Sequence, residues 1–130
     1  MAVCNRILIV EDDIDYQELF TDALRIINPG YVCKIAGNGE EALQILKQLS
    51  CYDIIVMDIN MPKMDGIECL KILKKNPLYK HIPVVITSTS YSNVDINFCL
   101  SIGAEKYLTK PATFRELVEE MRTIFFTIFK

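Results

Sequence analysis

Ile7-Leu8-Ile9-Val10 runs directly into Glu11-Asp12-Asp13, and Ile54-Ile55-Val56-Met57 runs directly into Asp58. Unbroken aliphatic runs of this length are what a parallel strand covered on both faces requires. Acids placed straight after such runs stand where the strand ends and the chain turns outward. In an open α/β sheet that edge is where ligands bind. Carboxylates converging there repel one another unless a cation joins them, and an all-oxygen set suits a hard divalent ion such as Mg²⁺. Asp58 then reads either as a ligand or as a nucleophile.

Working outward, apolar runs alternate with helical periodicity along the whole chain. A strand over 6–10 is followed by a helix over 14–27, with Tyr16, Leu19, Phe20, Ala23, Leu24 and Ile27 on one face. Asn28-Pro29-Gly30 stops that helix. Tyr31 to Ala36 reads as the second strand, and Gly37-Asn38-Gly39 turns into a helix carrying Ala42, Ile45, Leu46 and Leu49. The third strand covers 53–57, and Pro62 and Gly66 bracket a loop before a helix ending at Asn76-Pro77. Pro83 opens the fourth strand, Val84 to Thr87, and Gly103 closes a helix near 93–102. Lys106 to Thr109 is a short last strand, and Pro111 opens a final helix from about residue 112. Five successive βα units imply a doubly wound parallel sheet with helices on both faces.

The bulk numbers fit one domain over residues 1–130. Hydrophobic residues make up 51% and charged residues 24%, with a net charge of -3, which leaves no electrostatic footprint for nucleic acid or anionic membrane. No apolar run approaches a membrane span, and Met1-Ala2-Val3-Cys4-Asn5 has no signal-peptide core. Cys4, Cys33, Cys51, Cys69 and Cys99 are scattered and His81 is the sole histidine, so no zinc site is spelled out. The cysteines read as small buried or half-buried hydrophobes in the cytoplasm, and His81 as a surface loop residue.

At the strand ends stand Glu11 and Asp12, Asp58, Thr87 and Lys110. Acids that hold Mg²⁺, a nucleophilic Asp, a hydroxyl and a lysine form a coherent set for phosphoryl transfer, which needs mainly positioning and charge compensation.

The sequence here resembles the receiver domain of bacterial two-component response regulators. The resemblance rests on Val10-Glu11-Asp12-Asp13, on Met57-Asp58-Ile59-Asn60-Met61-Pro62-Lys63-Met64-Asp65-Gly66, on Pro83-Val84-Val85-Ile86-Thr87-Ser88, and on Gly103-Ala104-Glu105-Lys106-Tyr107-Leu108-Thr109-Lys110-Pro111. It implies a flavodoxin-like five-stranded parallel sheet in the order 2-1-3-4-5. It also implies Asp58 as phosphoacceptor, Asp12 as direct Mg²⁺ ligand, Glu11 acting through water, and a metal contact from the backbone carbonyl of Asn60. Thr87 and Lys110 would contact the phosphoryl group, Tyr107 would be an aromatic switch, and Lys110-Pro111 would be a cis peptide. Asp13 is expected to cap a helix. Asn60 and Thr89 stand where the family tunes hydrolysis. Thr87 and Lys110 lie a little further apart than the family pattern implies, so the segment after the fourth strand is expected to differ.

The implied function is a stand-alone response regulator with no output domain. It would accept a phosphoryl group from a sensor histidine kinase or a histidine phosphotransfer protein and signal to a downstream protein through its last two helices and last strand. Alternatives are a phosphate sink, a relay intermediate, or a phosphorylation-independent protein-binding module. A haloacid dehalogenase-type phosphatase fits less well, because Asn60 stands where a proton-exchanging Asp would be needed. A flavodoxin-like cofactor binder fits poorly, since three acids after the first strand would repel a phosphate. In the last helix Phe114, Leu117, Val118, Met121, Ile124, Phe125, Ile128 and Phe129 form a broad apolar stripe widened by Phe126, read as extra core contact or as a homodimer or partner face.

Overall fold

The computed structural model describes residues 5–129; the readings of the N-terminal stretch and of Cys4 lie outside it. Ten elements alternate without exception: β1 (Arg6–Val10), α1 (Ile14–Ile27), β2 (Val32–Ala36), α2 (Gly39–Gln48), β3 (Ile54–Asp58), α3 (Gly66–Lys75), β4 (Val84–Ser88), α4 (Asn93–Ser101), β5 (Lys106–Thr109) and α5 (Phe114–Phe129). The strands form one parallel sheet in the order β2-β1-β3-β4-β5, as expected.

Strand alternation divides the core. Leu8, Val10, Ile55, Met57, Val84 and Ile86 point to the face covered by α2, α3 and α4. Ile7, Ile9, Ile54, Val56 and Val85 point to the face covered by α1 and α5. Each such side chain contributes about 2 kcal/mol when fully buried, which is why the central strands read so plainly as aliphatic runs. The chain winds outward from β1 to β2 and then returns past β1 to β3, so the switch point falls between β1 and β3, beside Glu11 and Asp58.

Several boundaries differ from the sequence reading. β3 and β4 each run one residue further, through Asp58 and Ser88, because the ladder continues and Ile59 N–H donates to the Thr87 carbonyl at 3.2 Å. Hydropathy cannot see a strand that ends in polar residues. α5 starts at Phe114 instead of near 112. Its start is set by Thr113, whose Oγ1 accepts from Glu116 N–H at 3.1 Å and donates to Glu116 Oε1 at 3.1 Å. The apolar stripe of α5 is largely consumed inside the chain. Leu117, Val118, Met121 and Phe125 are buried, Ile124, Ile128 and Phe129 are half-buried, and Phe125 packs against Tyr31 and Phe129 at 5.8 and 5.6 Å. Phe126 remains outside, 73% exposed.

The cysteines divide. Cys69 and Cys99 are buried and Cys33 half-buried, but Cys51 is exposed in the turn before β3, contrary to expectation. That turn lies beyond the last residue of α2. Burial pushes the Cys69 thiol up to about 12, so it packs as an inert hydrophobe. His81 is exposed in a turn, as expected.

Candidate phosphoryl and metal site

The site is assembled from the ends of β1, β3, β4 and β5. Glu11 N–H donates to the Ala36 carbonyl at 2.9 Å, which carries the β1–β2 ladder past the strand and buries the Glu11 side chain. Asp12, the next residue, is exposed. Asp13 caps α1 as anticipated, with Oδ1 accepting from Asp15 N–H at 2.8 Å. Asp58 ends β3 and is 5% exposed; its register partner on β4 is the buried Thr87.

Gly66 explains why an Asp-Gly pair must follow. A Cβ there would collide with the Asp58 carbonyl oxygen and approach Ile59 Cα at 2.9 Å, so only glycine lets α3 begin this close to the end of β3. Asp65 caps that helix by accepting from Glu68 N–H at 2.9 Å. The intervening loop takes a left-handed turn at Lys63 (φ 64°) and packs on α2, where Gly39 N–H donates to the Met64 carbonyl at 3.1 Å.

Lys110 leaves the end of β5 with its N–H bonded to the Ser88 carbonyl at 2.7 Å. Its Nζ lies 2.8 Å from Glu11 Oε1 and 3.1 Å from Asp58 Oδ1, with only 6% of the side chain exposed. Burial raises the Glu11 and Asp58 carboxyls above their ordinary values; Asp58 adds to the rise at Glu11 and Asp12 to that at Asp58, and Lys110 opposes both. Burial alone would lower Lys110, but its hydrogen bond to Glu11 and the charges of Asp58 and Glu11 outweigh it and hold the ammonium above its usual value.

Glu11, Asp12 and Asp58 each present a carboxylate oxygen, and these oxygens lie within 4.8 Å of one another. Oxygens on opposite sides of an octahedral Mg²⁺ stand about 4.2 Å apart, so the cluster needs only small adjustments to share one ion. The hard, oxygen-only donors therefore fit a divalent cation. Asp12 is the solvent-facing donor, while Glu11 is engaged by Lys110 and accepts from Asp13 N–H at 3.2 Å. Asn60 sits two residues past Asp58 in a loop and is exposed. Thr89, on the other side, is also exposed.

The Lys110–Pro111 bond is trans, where the sequence implied cis. The trans form is the intrinsic preference of an X–Pro bond by about 0.5–1 kcal/mol, and from it the Lys110 side chain already spans Glu11 and Asp58.

Tyr107 is half-buried and donates its hydroxyl to the Ser90 carbonyl at 2.9 Å. Thr109 Oγ1 donates to the same oxygen at 3.1 Å, Ser90 N–H donates to Ser88 Oγ at 3.1 Å, and Ser90 Oγ bonds Asp95 Oδ2 at 2.6 Å. Sequence reasoning named Tyr107 but missed this knot on the β4–α4 loop. Its signal was the pair of hydroxyls two apart on one strand, Tyr107 and Thr109, together with the serine-rich turn at 88–92. Reasoning also missed Gln17, whose Nε2 donates to the Glu11 carbonyl at 2.7 Å, and the Tyr16 ring beside Lys110.

Comparison with known proteins agrees with this geometry. Residues 7–122 match the response regulator receiver domain. The transcriptional regulatory protein CpxR homolog of Haemophilus influenzae is 34% identical over 120 residues, covering 92% of this chain and 50% of that protein. The chain thus spans about half the length of the curated relatives it matches. The crystal structure of the phosphorylated cyanobacterial phytochrome response regulator RcpA superposes with a TM-score of 0.86 at 32% identity, covering 95% of this chain and 92% of that one. A response regulator solved in its Mn²⁺-bound form gives a TM-score of 0.80 at 31% identity, covering 93% and 91%. Receiver architecture, acidic cluster and paired lysine are together the arrangement typical of Mg²⁺-dependent phosphoaspartate signalling. With the match running over nearly its whole length, the chain belongs to the response regulator receiver domain family.

Proposed function

We propose that the protein accepts a phosphoryl group on Asp58 and passes the resulting change of shape to a partner protein. The observation that carries this reading is the seating of Lys110 Nζ against Glu11 and Asp58 while three carboxylate oxygens converge within 4.8 Å. In the step, an Asp58 oxygen attacks phosphorus and the P–N bond of a donor phosphohistidine breaks, with the imidazole nitrogen keeping the electron pair. An acyl phosphate results. Lys110, seated beside Asp58, neutralises the oxygens of the transferred group, and the Thr87 hydroxyl donates to it from the neighbouring register position. Mg²⁺, held by Asp12, Asp58, Glu11 through water and the Asn60 carbonyl, would supply charge neutralisation to the same oxygens. Attack by water on phosphorus later restores the carboxylate and releases inorganic phosphate, so self-dephosphorylation is slow turnover by the same site.

The donor class is a sensor histidine kinase or a histidine phosphotransfer protein, and the setting is the cytoplasm. RcpA, a relative in shape, was solved phosphorylated, which supports the acceptor role; the Mn²⁺-bound regulator supports the metal. Among the described residues no helix is long and apolar enough to cross a membrane. The outgoing signal would run through Thr87 to the Ser90 knot, which Tyr107 and Thr109 hold in place, and so to α4, β5 and α5. A homodimer through α5 would be centred on Phe126; light scattering that shows a monomer at high concentration, with and without a phosphoryl mimic, removes that assembly.

Intact mass after incubation with Mg²⁺ and acetyl phosphate tests the reading. One phosphoryl adduct is expected in the wild type and none in Asp58→Asn or without Mg²⁺. An adduct that survives in Asp58→Asn would overturn the assignment.

A further inference from the structure

Lys110 is the most buried cation of the site, and its surroundings are only partly acidic. Two of its neighbours are carboxylates, Glu11 at 2.8 Å and Asp58 at 3.1 Å. A third is aromatic: Nζ lies 3.9 Å from the centroid of the Tyr16 ring. An ammonium has three N–H groups, and at 6% side-chain exposure little water remains to serve one that finds no carboxylate. The negative face of an aromatic ring can serve it, and does so best where water is excluded. An aliphatic side chain would cover the charge without compensating it.

The ring is fixed by its place in the chain. Asp13 sets the start of α1 through its bonds to the N–H groups of Asp15 and Tyr16, so residue 16 comes off the first turn beside the end of β1. One turn on, the buried Phe20 backs Tyr16 with ring centroids 6.2 Å apart. Phe20, Tyr16 and Lys110 thus form a continuous stack from the α1–α5 core to the reactive edge. From sequence alone, position 16 is a core-facing aromatic on α1.

We propose that Tyr16 is a positioning residue for Lys110: its ring face seats the ammonium, keeps it dry, and holds it within reach of the phosphoryl oxygens that arrive on Asp58. This rests on Asp58 being the phosphoacceptor. The carboxylates change partners when Asp58 is modified, whereas the ring belongs to a helix that does not take part in the reaction. Tyr16 therefore gives the lysine one contact that is the same before and after transfer.

The test compares wild type, Tyr16→Phe and Tyr16→Leu, each checked for folding by its melting transition, with Tyr16→Met as the alternative apolar variant. Two quantities are read: the rate of Mg²⁺-dependent phosphorylation by acetyl phosphate, and the ring-current shift of the Lys110 ε-methylene protons by NMR. Phe keeps the ring face and is expected to retain both the shift and the rate to within about twofold, whereas Leu or Met is expected to lose the shift and about tenfold in rate. On a Lys110→Ala background the Tyr16→Leu change should add no further loss. A full rate in Tyr16→Leu, equal losses in Phe and Leu, an unshifted Lys110 in the wild type, or an additive loss on the Lys110→Ala background would each overturn the role of the ring while leaving Asp58 chemistry in place. A wild type that takes up no phosphoryl group would instead overturn the parent reading and this one with it.

Discussion

Two aspartates stand at opposite ends of β3, and they are treated in opposite ways. Asp53, just before the strand, accepts from the backbone N–H groups of Asn5 and Arg6 at 2.9 Å each, and its own N–H returns a bond to the Arg6 carbonyl. Fixed dipoles thus satisfy its carboxylate, and the clamp ties the start of β1 to the start of β3. Asp58, at the far end, faces Glu11 and Asp12 with one ammonium among three carboxylates. Its excess negative charge has no fixed partner. The same residue type is structural where backbone dipoles complete it, and at the other end of the strand it is left crowded against two further carboxylates with a single ammonium. Residues held in such uncompensated surroundings stabilise the fold less than their burial suggests.

The sharpest way to break the contrast is to remove the one cation. Lys110→Met leaves Glu11 and Asp58 buried without a counter-charge, and breaking a buried pair in this way costs about 3–5 kcal/mol. Denaturant unfolding in Mg²⁺-free buffer near pH 8 should show that loss, and added Mg²⁺ should recover part of it, since an ion bound only to the folded form stabilises by mass action. An unchanged midpoint would mean that the lysine is not neutralising the two acids.

A smaller effect is expected at the other end, and of a different kind. Asp53→Ala leaves two backbone donors short of an acceptor and should cost about 2 kcal/mol of stability. Phosphorylation by acetyl phosphate, measured per folded molecule, should not change, because the clamp lies a full strand length from Asp58. A matching fall in phosphorylation rate would show that the two ends of β3 are coupled and that the contrast is too simple.

How much of this was legible in sequence follows the same division. The sheet interior was readable because Ile7 to Val10 and Ile54 to Met57 must be aliphatic to be buried on both faces. The candidate edge was readable because Glu11, Asp12 and Asp58 follow those runs directly, Thr87 and Lys110 stand at the ends of β4 and β5, and Gly66 has a steric reason to follow. Which charges pair was not readable. Lys110 approaches Glu11 more closely than Asp58, and Tyr16 completes its shell from a helix far away in sequence. Nor could periodicity decide the fate of Phe125 and Phe129, because that depends on Tyr31 and α1 lying opposite. The trans bond at Lys110–Pro111 and the exposed Cys51 are likewise set by loop paths that no residue pattern encodes.

The smallest predicted change has the opposite sign. Asp58→Asn keeps the shape of the side chain, removes one of the crowded charges and leaves Lys110 its bond to Glu11 at 2.8 Å. Relief of like-charge repulsion at a partly solvated edge should raise stability by about 1 kcal/mol near neutral pH. The sign of the pH dependence follows from the raised Asp58 carboxyl. A carboxyl whose value is higher in the folded protein takes up its proton there first, so its ionised form costs stability above that raised value. As pH falls through the raised folded value, folded Asp58 takes up its proton while the unfolded form is still ionised. The cost is thereby relieved on the way down to the ordinary value of 3.8, below which both states are neutral. The advantage of Asp58→Asn should therefore be full near pH 8 and shrink toward zero near pH 4. Added Mg²⁺ should narrow it as well, by stabilising the wild type through the very carboxylate the variant lacks. A gain that grew on acidification would mean that Lys110 already over-compensates Asp58, and the Asp58 end of β3 would then be as fully satisfied as the end that Asp53 clamps.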